Sequence, residues 1–362
     1  MTGSALVVGA SGLIGNAVVD EFLAKGWPVI GMSRRKPEVA TNKPFVHLAV
    51  DLFDASAVAN AVRDHLGSVT HVVYTAVYEK PGLVGGWTDP EQMSTNLSMI
   101  QNLLGPLSAL GRLEHVSVLQ GTKAYGVHLH PIPIPARERF PRDAHENFYW
   151  LQEDYIKQRA AEEGFSWTIF RPTVVLGYNY GVAMNVLPVV GAFAAIARET
   201  RTPFAFPGHI PYVREAVDVR LIAEAAEWAA VSTNAEDQHF NLTNGEVFSW
   251  RDSWPLMGDV LGIEVSADSP LSMAEFLPAH ADIWNRVVEK RGLRPNTLAA
   301  ILGESHHYAD FCFGYGLTEP PPPAFVSTVK IKEAGFGRVF DTSASITHWL
   351  EVLMKRNVIP RG

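Results

Sequence analysis

A tyrosine in the segment NFYWLQEDY, residues 147–155, could donate a proton in a reduction. A phenol has a pKa of about 10, and a nearby cation helps it to donate by stabilising the phenolate that is left behind. Residues four apart share a helix face, but the residue four after Tyr149 is Glu153, whose charge has the wrong sign. Lys157, eight residues on, lies about 12 Å along a helix axis and is too far to reach back. The cation must therefore come from another element.

The remaining candidate cation is Lys123 in the segment SVLQGTKAYG. It directly follows a strand predicted over 113–121, at the carboxyl end, which in open α/β sheets faces the ligand crevice. Tyr125, two residues later, is expected to line the same pocket. Tyr155 and Arg159 form a rival pair on one helix face, but arginine holds its proton too firmly to relay one. We therefore favour Lys123 as the partner of Tyr149.

The elements that must position this pair begin with a strand, a glycine turn, a helix and a second strand, all within residues 5–35. Gly9, Gly12 and Gly15 have the spacing GxxGxxG between the first strand and the helix. Gly9 allows a tight turn, Gly12 lets the backbone approach a pyrophosphate, and Gly15 lets helix and strand pack closely. The helix N-terminus then faces the phosphate charge. This arrangement predicts a dinucleotide-binding βαβ unit.

The end of the second strand predicts which dinucleotide is bound. An acidic residue that binds ribose hydroxyls is typical there, but the sequence has Ser33, Arg34 and Arg35. Guanidinium groups pair with the 2′-phosphate of NADP and would have no anion to neutralise in NAD. The prediction is NADP(H); two solvated surface arginines are the alternative.

Further strands and helices alternate as far as residue 180, which predicts an α/β fold with a doubly wound parallel Rossmann sheet. Asp51 follows the third strand and could meet the adenine, and Thr75 and Ala76 follow the fourth, beside the expected nicotinamide ribose. Alternatively, each of these residues could stabilise only the local turn in which it lies. The residues expected to border the cofactor are Gly9, Ser11, Gly12, Leu13, Ile14, Gly15, Ser33, Arg34, Arg35, Asp51, Leu52, Thr75, Ala76, Gln120, Pro172 and Val174.

From residue 178 the alternation becomes irregular, which predicts a smaller, discontinuous C-terminal domain for the substrate. We assign 1–180 to the nucleotide-binding domain, with later segments at about 204–245 returning to it, and 181–362 mainly to a substrate-binding lid. Helices are predicted over 184–197, 219–231, 250–260 and 343–354. The aromatic side chains Phe204, Phe206, Tyr212 and Trp250 are expected to be mostly core, with two or three lining a pocket.

Composition excludes several classes of protein. The net charge of −8 without a basic cluster argues against a nucleic-acid partner. No stretch approaches the roughly 20 apolar residues of a membrane span, and the N-terminus enters a strand too early for a signal peptide. A single cysteine, Cys312, fits a cytoplasmic protein. Asp310 stands four residues after His306, but without an evident third ligand we expect no metal.

Eight stretches of the chain resemble one family of atypical short-chain dehydrogenases/reductases, the progesterone 5β-reductase and iridoid synthase (PRISE) family. They are VVGASGLIGNAV, GMSRRKP, LQGTKAYG, NFYWLQEDY, WTIFRPTVVLGY, DVRLIAEAAEWAA, FNLTNGEVFSWRDSW and ITHWLEVLMKRNVIP.

The resemblance implies that Lys123 of GTKxY and Tyr149 of NFY are the catalytic pair. Tyr308 looks like the position of a substrate-facing phenylalanine in the plant enzymes, with Cys312 one turn later, so the pocket is expected to be more polar. The loop GTKAYGVHLHP departs from the Gly-Pro pair that generally follows GTKxY in the family. The side chains expected to line the substrate pocket are Tyr125, Phe148, Met184, Tyr308 and Cys312.

These observations favour an NADPH-dependent reductase of apolar α,β-unsaturated carbonyl compounds, with a small-molecule substrate and with a homodimer as a possible assembly. The first alternative is a 1,2-carbonyl reductase that uses the same residues. A non-catalytic NADP-sensing regulator would need the glycines and Arg34 but neither Lys123 nor Tyr149. An NAD-dependent sugar epimerase or dehydratase would be expected to keep a lysine four residues after the tyrosine.

Overall fold

The short apolar runs of the chain fold as β-strands, several of them buried on both faces. The computed structural model describes residues 3–294 and 297–362. Residues 5–8 are fully buried, as is typical of a parallel strand with helices on both sides of its sheet. In chain order the strands are β1 (Ser4–Val8), β2 (Val29–Ser33), β3 (Val46–Ala49), β4 (Val69–Tyr74), β5 (His115–Leu119), β6 (Ser166–Pro172), β7 (Val174–Leu176), β8 (Val213–Asp218), β9 (Gln238–Leu242) and β10 (Val247–Ser249).

Most of the long helices start at an Asp, Asn or Ser whose side chain accepts a hydrogen bond from the first turn. Short 3₁₀ turns lie at Leu83–Thr88, Thr122–Tyr125 and Thr233–Ala235. In chain order the α-helices are α1 (Leu13–Ala24), α2 (Ala55–His65), α3 (Pro90–Ser108), α4 (Phe148–Glu163), α5 (Val186–Thr200), α6 (Val219–Val231), α7 (Trp250–Leu261), α8 (Met273–Ala279), α9 (Ala281–Arg291), α10 (Leu298–Leu302), α11 (Ser305–Phe313), α12 (Val329–Glu333) and α13 (Thr342–Lys355).

The main sheet has seven parallel strands in the order β3-β2-β1-β4-β5-β6-β9. Apolar side chains of α2, α3 and α4 pack on one face, and those of α1, α6 and α12 pack on the other. This is the Rossmann order and the doubly wound arrangement predicted from the sequence, so the fold class is confirmed. Its strands point their carboxyl ends towards one edge of the sheet, where the predicted catalytic residues follow them.

The C-terminal part of the chain forms a smaller unit around its own core. A three-stranded sheet, β10-β8-β7, packs with α5, α7 to α11 and α13. Phe193, Trp254, Trp284 and Phe313 are almost fully buried in this core. The helix predicted over 184–197 forms α5, in which 186–197 are all buried.

The chain returns to the main sheet for a shorter stretch than the predicted 204–245. Residues 219–242 provide α6 against α1 and then β9 at the sheet edge beside β6. Residues 204–218 stay in the smaller unit, because Phe204 and Phe206 pack in its core and β8 pairs with β7 and β10. Trp250 is buried in the same core.

Among residues 3–294 and 297–362, no helix is both long enough and apolar enough to cross a membrane.

Candidate active site

Helix α4 presents Tyr149 in its first turn, above the end of β5. The Asn147 side chain caps the helix and accepts a hydrogen bond from the Tyr149 backbone N–H at 3.0 Å. The Gln120 side-chain amide donates to the Tyr149 carbonyl at 3.2 Å. A side chain added at Gly121 would come within 3.2 Å of the Tyr149 hydroxyl. The glycine after Gln120 therefore leaves room for the phenol at the carboxyl end of the strand.

Lys123 lies beside this helix start, in the 3₁₀ turn that follows β5. The Asn147 amide that caps α4 also donates to the Lys123 carbonyl at 3.3 Å, so one side chain ties the two predicted catalytic residues together. The Lys123 ammonium lies 4.4 Å from the centre of the Trp87 ring. It also lies 3.4 Å from a carboxylate oxygen of Glu79, in the loop after β4. The structure thus brings Lys123 and Tyr149 to the same end of the sheet.

The electrostatic setting of Tyr149 differs from the one expected. Burial raises the pKa of the phenol, the Glu79 carboxylate raises it further, and the Arg171 guanidinium opposes them. Arg171, at the end of β6, lies 5.0 Å from the centre of the Tyr125 ring and is almost fully buried. The phenol is therefore neutral over the ordinary pH range. The raised pKa favours the protonated phenol over the phenolate.

Glu153 does not act on Tyr149 in the way that its spacing suggested. Its carboxylate lies 2.7 Å from Lys157, 3.2 Å from Arg142 and 3.0 Å from His239, on the side of α4 that faces β9. Burial opposes its ionisation, but His239 and Lys157 outweigh burial and hold the pKa of Glu153 well below its usual range. The Lys157 ammonium is paired with the Glu153 carboxylate. Its spacing of eight residues from Tyr149 had already argued against a role as the partner of that tyrosine.

The glycine turn after β1 is shaped to take a phosphate group. Gly9 has φ +80°, a conformation that favours glycine, and the Gly12 N–H donates to its carbonyl at 2.8 Å. A side chain at Gly15 would overlap the Gly9 carbonyl oxygen. No side chain among the described residues caps α1, and its first turn carries no acid. A helix start that has no side-chain cap and no acid in its first turn fits the pyrophosphate of a dinucleotide.

The end of β2 fits a second phosphate group. Arg34 and Arg35 are exposed, and in the described ranges neither pairs with a carboxylate. The Ser33 hydroxyl donates to the Arg35 carbonyl at 2.6 Å and so shapes the turn. The nearest acid along the chain, Glu38, binds Tyr178 and Tyr180 at 2.8 Å each and Arg294 at 2.7 Å. Glu38 is therefore committed elsewhere.

The other residues predicted to border the cofactor fall into two groups. Asp51 accepts a hydrogen bond from the Phe53 N–H at 3.1 Å, which is turn chemistry, and Leu52 is buried in the core. The Thr75 hydroxyl donates to the Val8 carbonyl at 2.8 Å and joins the ends of β4 and β1. Their contact with a cofactor remains a prediction. The second group consists of predicted cofactor residues that lie at or beside the carboxyl ends of the strands, near Lys123 and Tyr149. These residues are Ser11, Leu13, Ile14, Thr75, Ala76, Gln120, Pro172 and Val174.

Three of the predicted pocket residues have other contacts. The Tyr125 hydroxyl donates to the Asn241 side chain at 2.7 Å, and its ring packs with Ile132, Ala136 and Val326. The structure therefore places it in a small core, not in a pocket. Phe148 is buried edge-on against Tyr149 at 4.5 Å and fixes the tyrosine by packing. Cys312 is buried in the core of the smaller unit, where burial raises the pKa of its thiol.

Tyr308 faces the catalytic pair from the smaller unit. It is partly buried and stacks at 6.2 Å on Phe311, and Phe311 meets Trp87 edge-on at 5.5 Å. Burial raises the pKa of Tyr308, and Cys312 and Tyr149 add to that shift. Met184 lies partly exposed in the loop before α5. Phe311 and Tyr308 of α11 form an aromatic wall together with Trp87, whose ring contacts the Lys123 ammonium.

Asp310, which was weighed as a metal ligand, has other partners. Asp310 accepts hydrogen bonds from the backbone at the start of α8 and from Ser272 at 2.6 Å, so it caps that helix. Within the part of the chain that the structure describes, no group of three or more His, Cys, Asp or Glu residues could hold a metal ion.

Sequence reasoning missed Glu79, Trp87 and Arg171. Glu79 and Trp87 lie in the segment after β4 and Arg171 lies at the carboxyl end of β6, and this position at the strand ends is a usable signal. A position at the carboxyl end of a strand does not determine which of the many loop side chains points into the site. The rival pair is structural, because Arg159 binds Ser108, Glu162 and Glu163.

The chain is similar to proteins of known activity. It is 28% identical to the (S)-8-oxocitronellyl enol synthase of Catharanthus roseus, over 85% of this chain and 81% of that protein. It is 27% identical to a 3-oxo-Delta(4,5)-steroid 5-beta-reductase of Arabidopsis thaliana, over 98% of this chain and 93% of that protein. These relatives confirm the resemblance to the 5β-reductase and iridoid synthase family. The protein is thus an oxidoreductase of the short-chain dehydrogenase/reductase superfamily.

Solved structures share the fold at lower sequence identity. A UDP-glucose 4-epimerase matches with a TM-score of 0.71 and 15% identity, over 99% of this chain and all of that one. The enzyme from Bifidobacterium longum, solved with NAD+ and UDP, matches with a TM-score of 0.69 and 16% identity, over 98% of this chain and 99% of that one. A model described as the NAD dependent epimerase/dehydratase family matches residues 5–243. The chain therefore belongs to the NAD dependent epimerase/dehydratase family, whose members use a nicotinamide cofactor.

Proposed function

We propose that the protein is an NADPH-dependent reductase that saturates the double bond of apolar α,β-unsaturated carbonyl compounds. The observation that carries this proposal is the joining of Lys123 and the neutral phenol of Tyr149 through Asn147 at the carboxyl edge of the sheet. The relatives support the substrate class, since a 3-oxo steroid with a 4,5 double bond is a conjugated enone.

The cofactor is NADPH because the residues at the end of β2 suit a 2′-phosphate. Arg34 and Arg35 offer exposed guanidinium groups, and the neighbouring acid Glu38 is held by tyrosines and Arg294. Guanidinium binds phosphate through two parallel hydrogen bonds, which ribose hydroxyls cannot match. The pyrophosphate fits the uncapped start of α1 beside Gly12. When bound, NADPH supplies the hydride that is added to the β-carbon of the substrate.

Side chains of the site stabilise the negative charge that develops on the carbonyl oxygen of the substrate. As the β-carbon is reduced, negative charge moves to the carbonyl oxygen, and the Tyr149 hydroxyl donates a hydrogen bond there. Because burial and Glu79 raise the pKa of Tyr149, the hydroxyl keeps its proton while it stabilises the enolate. The enolate then takes a proton from solvent at its α-carbon, so that one hydride from the cofactor and one solvent proton complete the saturated carbonyl product. Lys123 lends positive charge from the opposite side of the site.

The aromatic wall favours an apolar substrate and excludes water from the charged groups. Trp87, Phe311 and Tyr308 offer mostly ring faces and edges, to which Tyr308 adds one hydroxyl. A substrate that covers Lys123 and Tyr149 there lowers the local dielectric, and this strengthens the hydrogen bond to the carbonyl oxygen.

The product identifies the reaction. Purified protein would be incubated with NADPH and a set of cyclic, linear and steroid enones, and the products would be separated by gas chromatography with mass spectrometry. We expect the saturated ketone or aldehyde, with NADPH consumed in equal amount. An allylic alcohol as the main product would contradict the proposal, because hydride would then have reached the carbonyl carbon.

A single substitution tests the cofactor assignment. We expect Arg34→Ala to raise KM for NADPH about 10-fold or more and to leave KM for NADH nearly unchanged, since a hydrogen bond to a charged group contributes about 1.5–3 kcal/mol. Steady-state kinetics with both cofactors measures this. Arg112→Ala, an exposed arginine before the amino end of β5, is the matched control. Equal wild-type KM values for NADPH and NADH would refute the assignment.

A further inference from the structure

We propose that Glu79 is a positioning residue that holds the Lys123 side chain in place as an ammonium group. The inference rests on the proposed function, which assigns Lys123 and Tyr149 to the reaction. Glu79 itself lies in the loop between β4 and the Leu83–Thr88 turn, outside every motif that pointed to the active site.

The Glu79 carboxylate is held at both oxygens. One oxygen lies 3.4 Å from the Lys123 ammonium, and the other accepts a hydrogen bond from the Gln92 side-chain amide at 2.7 Å. Gln92 is fully buried, and its own oxygen accepts from the Lys80 backbone N–H at 2.8 Å. The carboxylate therefore cannot turn away from Lys123 without breaking a buried hydrogen bond.

The ammonium lies between this carboxylate and an aromatic ring. The Glu79 side chain is 3% exposed and that of Lys123 is 14% exposed, so water does little to screen the pair. The Trp87 ring is 4.4 Å away, and its electron-rich face also favours a cation. A flexible lysine side chain is fixed by these two contacts in one direction.

The charges show what Glu79 does for each catalytic group. Burial lowers the pKa of Lys123, and Glu79 opposes that shift and so favours the ammonium form. The same carboxylate acts with burial to favour the protonated form of Tyr149. One residue thus stabilises the protonated state of both partners. A lysine close to the tyrosine without such a carboxylate would favour the phenolate.

Other ionisable groups surround the cluster. His128 lies edge-on to Trp87, and burial followed by the charge of Lys123 lowers its pKa to about 4, so it is neutral beside the ammonium. Among the described residues, other groups around the cluster are His145, Asp143 and His130 near His128, Arg171 and Tyr308 near Tyr149, and Lys80, which is paired with Asp89 and Glu91.

The pH dependence of turnover tests the inference. In Glu79→Gln we expect the alkaline limb of the kcat profile for enone reduction to move to lower pH, because Lys123 loses its proton more readily. Turnover on that limb should fall about 10-fold or more, with a smaller change at acidic pH. Glu79→Asp, which keeps the charge, should restore part of the profile. Glu91→Gln makes the same change at an exposed acid nearby and should leave the profile unchanged.

A second readout needs no substrate. Lysines would be labelled by reductive ¹³C-methylation and titrated by NMR, with Lys123→Arg identifying the resonance of Lys123. We expect its midpoint to be lower in Glu79→Gln than in the wild type, with Glu79→Asp between them. Equal midpoints in folded wild type and Glu79→Gln, or in Glu79→Asp if the first variant does not fold, would overturn the inference. If the midpoints differ but no enone is reduced, only the proposed function fails.

Discussion

Replacing Tyr149 with phenylalanine should lower kcat for enone reduction by about 10²- to 10³-fold, the usual cost of removing one donor to a developing oxyanion. The ring of Tyr149 packs edge-on against Phe148 and the Asn147 cap binds its backbone, so phenylalanine keeps both contacts. The free energy of unfolding should therefore change little. Single-turnover kinetics with saturating NADPH would measure the chemical step directly, and thermal unfolding would confirm that the fold is kept.

The matched control for this variant lies on the same helix. Tyr155 is partly buried against the core below the sheet edge, and its hydroxyl lies near Gly105 of α3. Tyr155→Phe also removes one phenol from α4 and should leave kcat unchanged. Unchanged turnover in Tyr149→Phe would remove this residue from the donor role, and a matching loss in Tyr155→Phe would point to the rival pair.

Replacing Gly15 with alanine should weaken cofactor binding by up to about 10²-fold. A methyl group at this position would overlap the Gly9 carbonyl oxygen and come within 2.8 Å of the Thr75 hydroxyl oxygen. The Gly9 N–H donates to the Met32 carbonyl of β2, and Thr75 donates to the Val8 carbonyl of β1, so α1 must move instead. Forcing extra volume into a packed site costs about 1–3 kcal/mol, and most of this should appear in binding, because the displaced helix start is the phosphate site.

Isothermal titration with NADPH and with NADH would measure that loss. The two cofactors should lose similar affinity, because they share the pyrophosphate and differ only at the 2′ position. Gly67→Ala is the control, since Gly67 lies in a turn where an added methyl group meets nothing within 4 Å. An affinity within a factor of two of the wild type would show that the close packing of α1 on the turn has no part in binding the cofactor.

The sequence was most informative where a local rule determines structure. The glycine turn and a return of the chain to the main sheet within 204–245 were predicted from backbone geometry and patterning, and the structure has the turn after β1 and β9 at the sheet edge. The order of the main sheet followed from the alternation of strands and helices. These features need only residues that are close together in the chain.

Contacts between distant loops could not be predicted in the same way. The pair of Glu79 and Lys123 joins residues 44 positions apart, and no period or spacing links them. Tyr125 was expected to turn towards the substrate, but a buried amide, Asn241, gives its hydroxyl a better partner. The predicted return over 204–245 was too long because the aromatic side chains at 204 and 206 find a core in the smaller unit.

The position four residues after Tyr149 shows that the cation near the tyrosine need not come from the tyrosine's own helix. That position holds Glu153, which binds Lys157, Arg142 and His239 and helps to fasten α4 to the far strand. Since every parallel strand ends at the same rim, any of several loops can deliver a cation there. Searches for related reductases that demand a fixed interval between tyrosine and lysine will overlook such chains. Searches for a tyrosine and a lysine that lie close together at the carboxyl ends of the strands will find them.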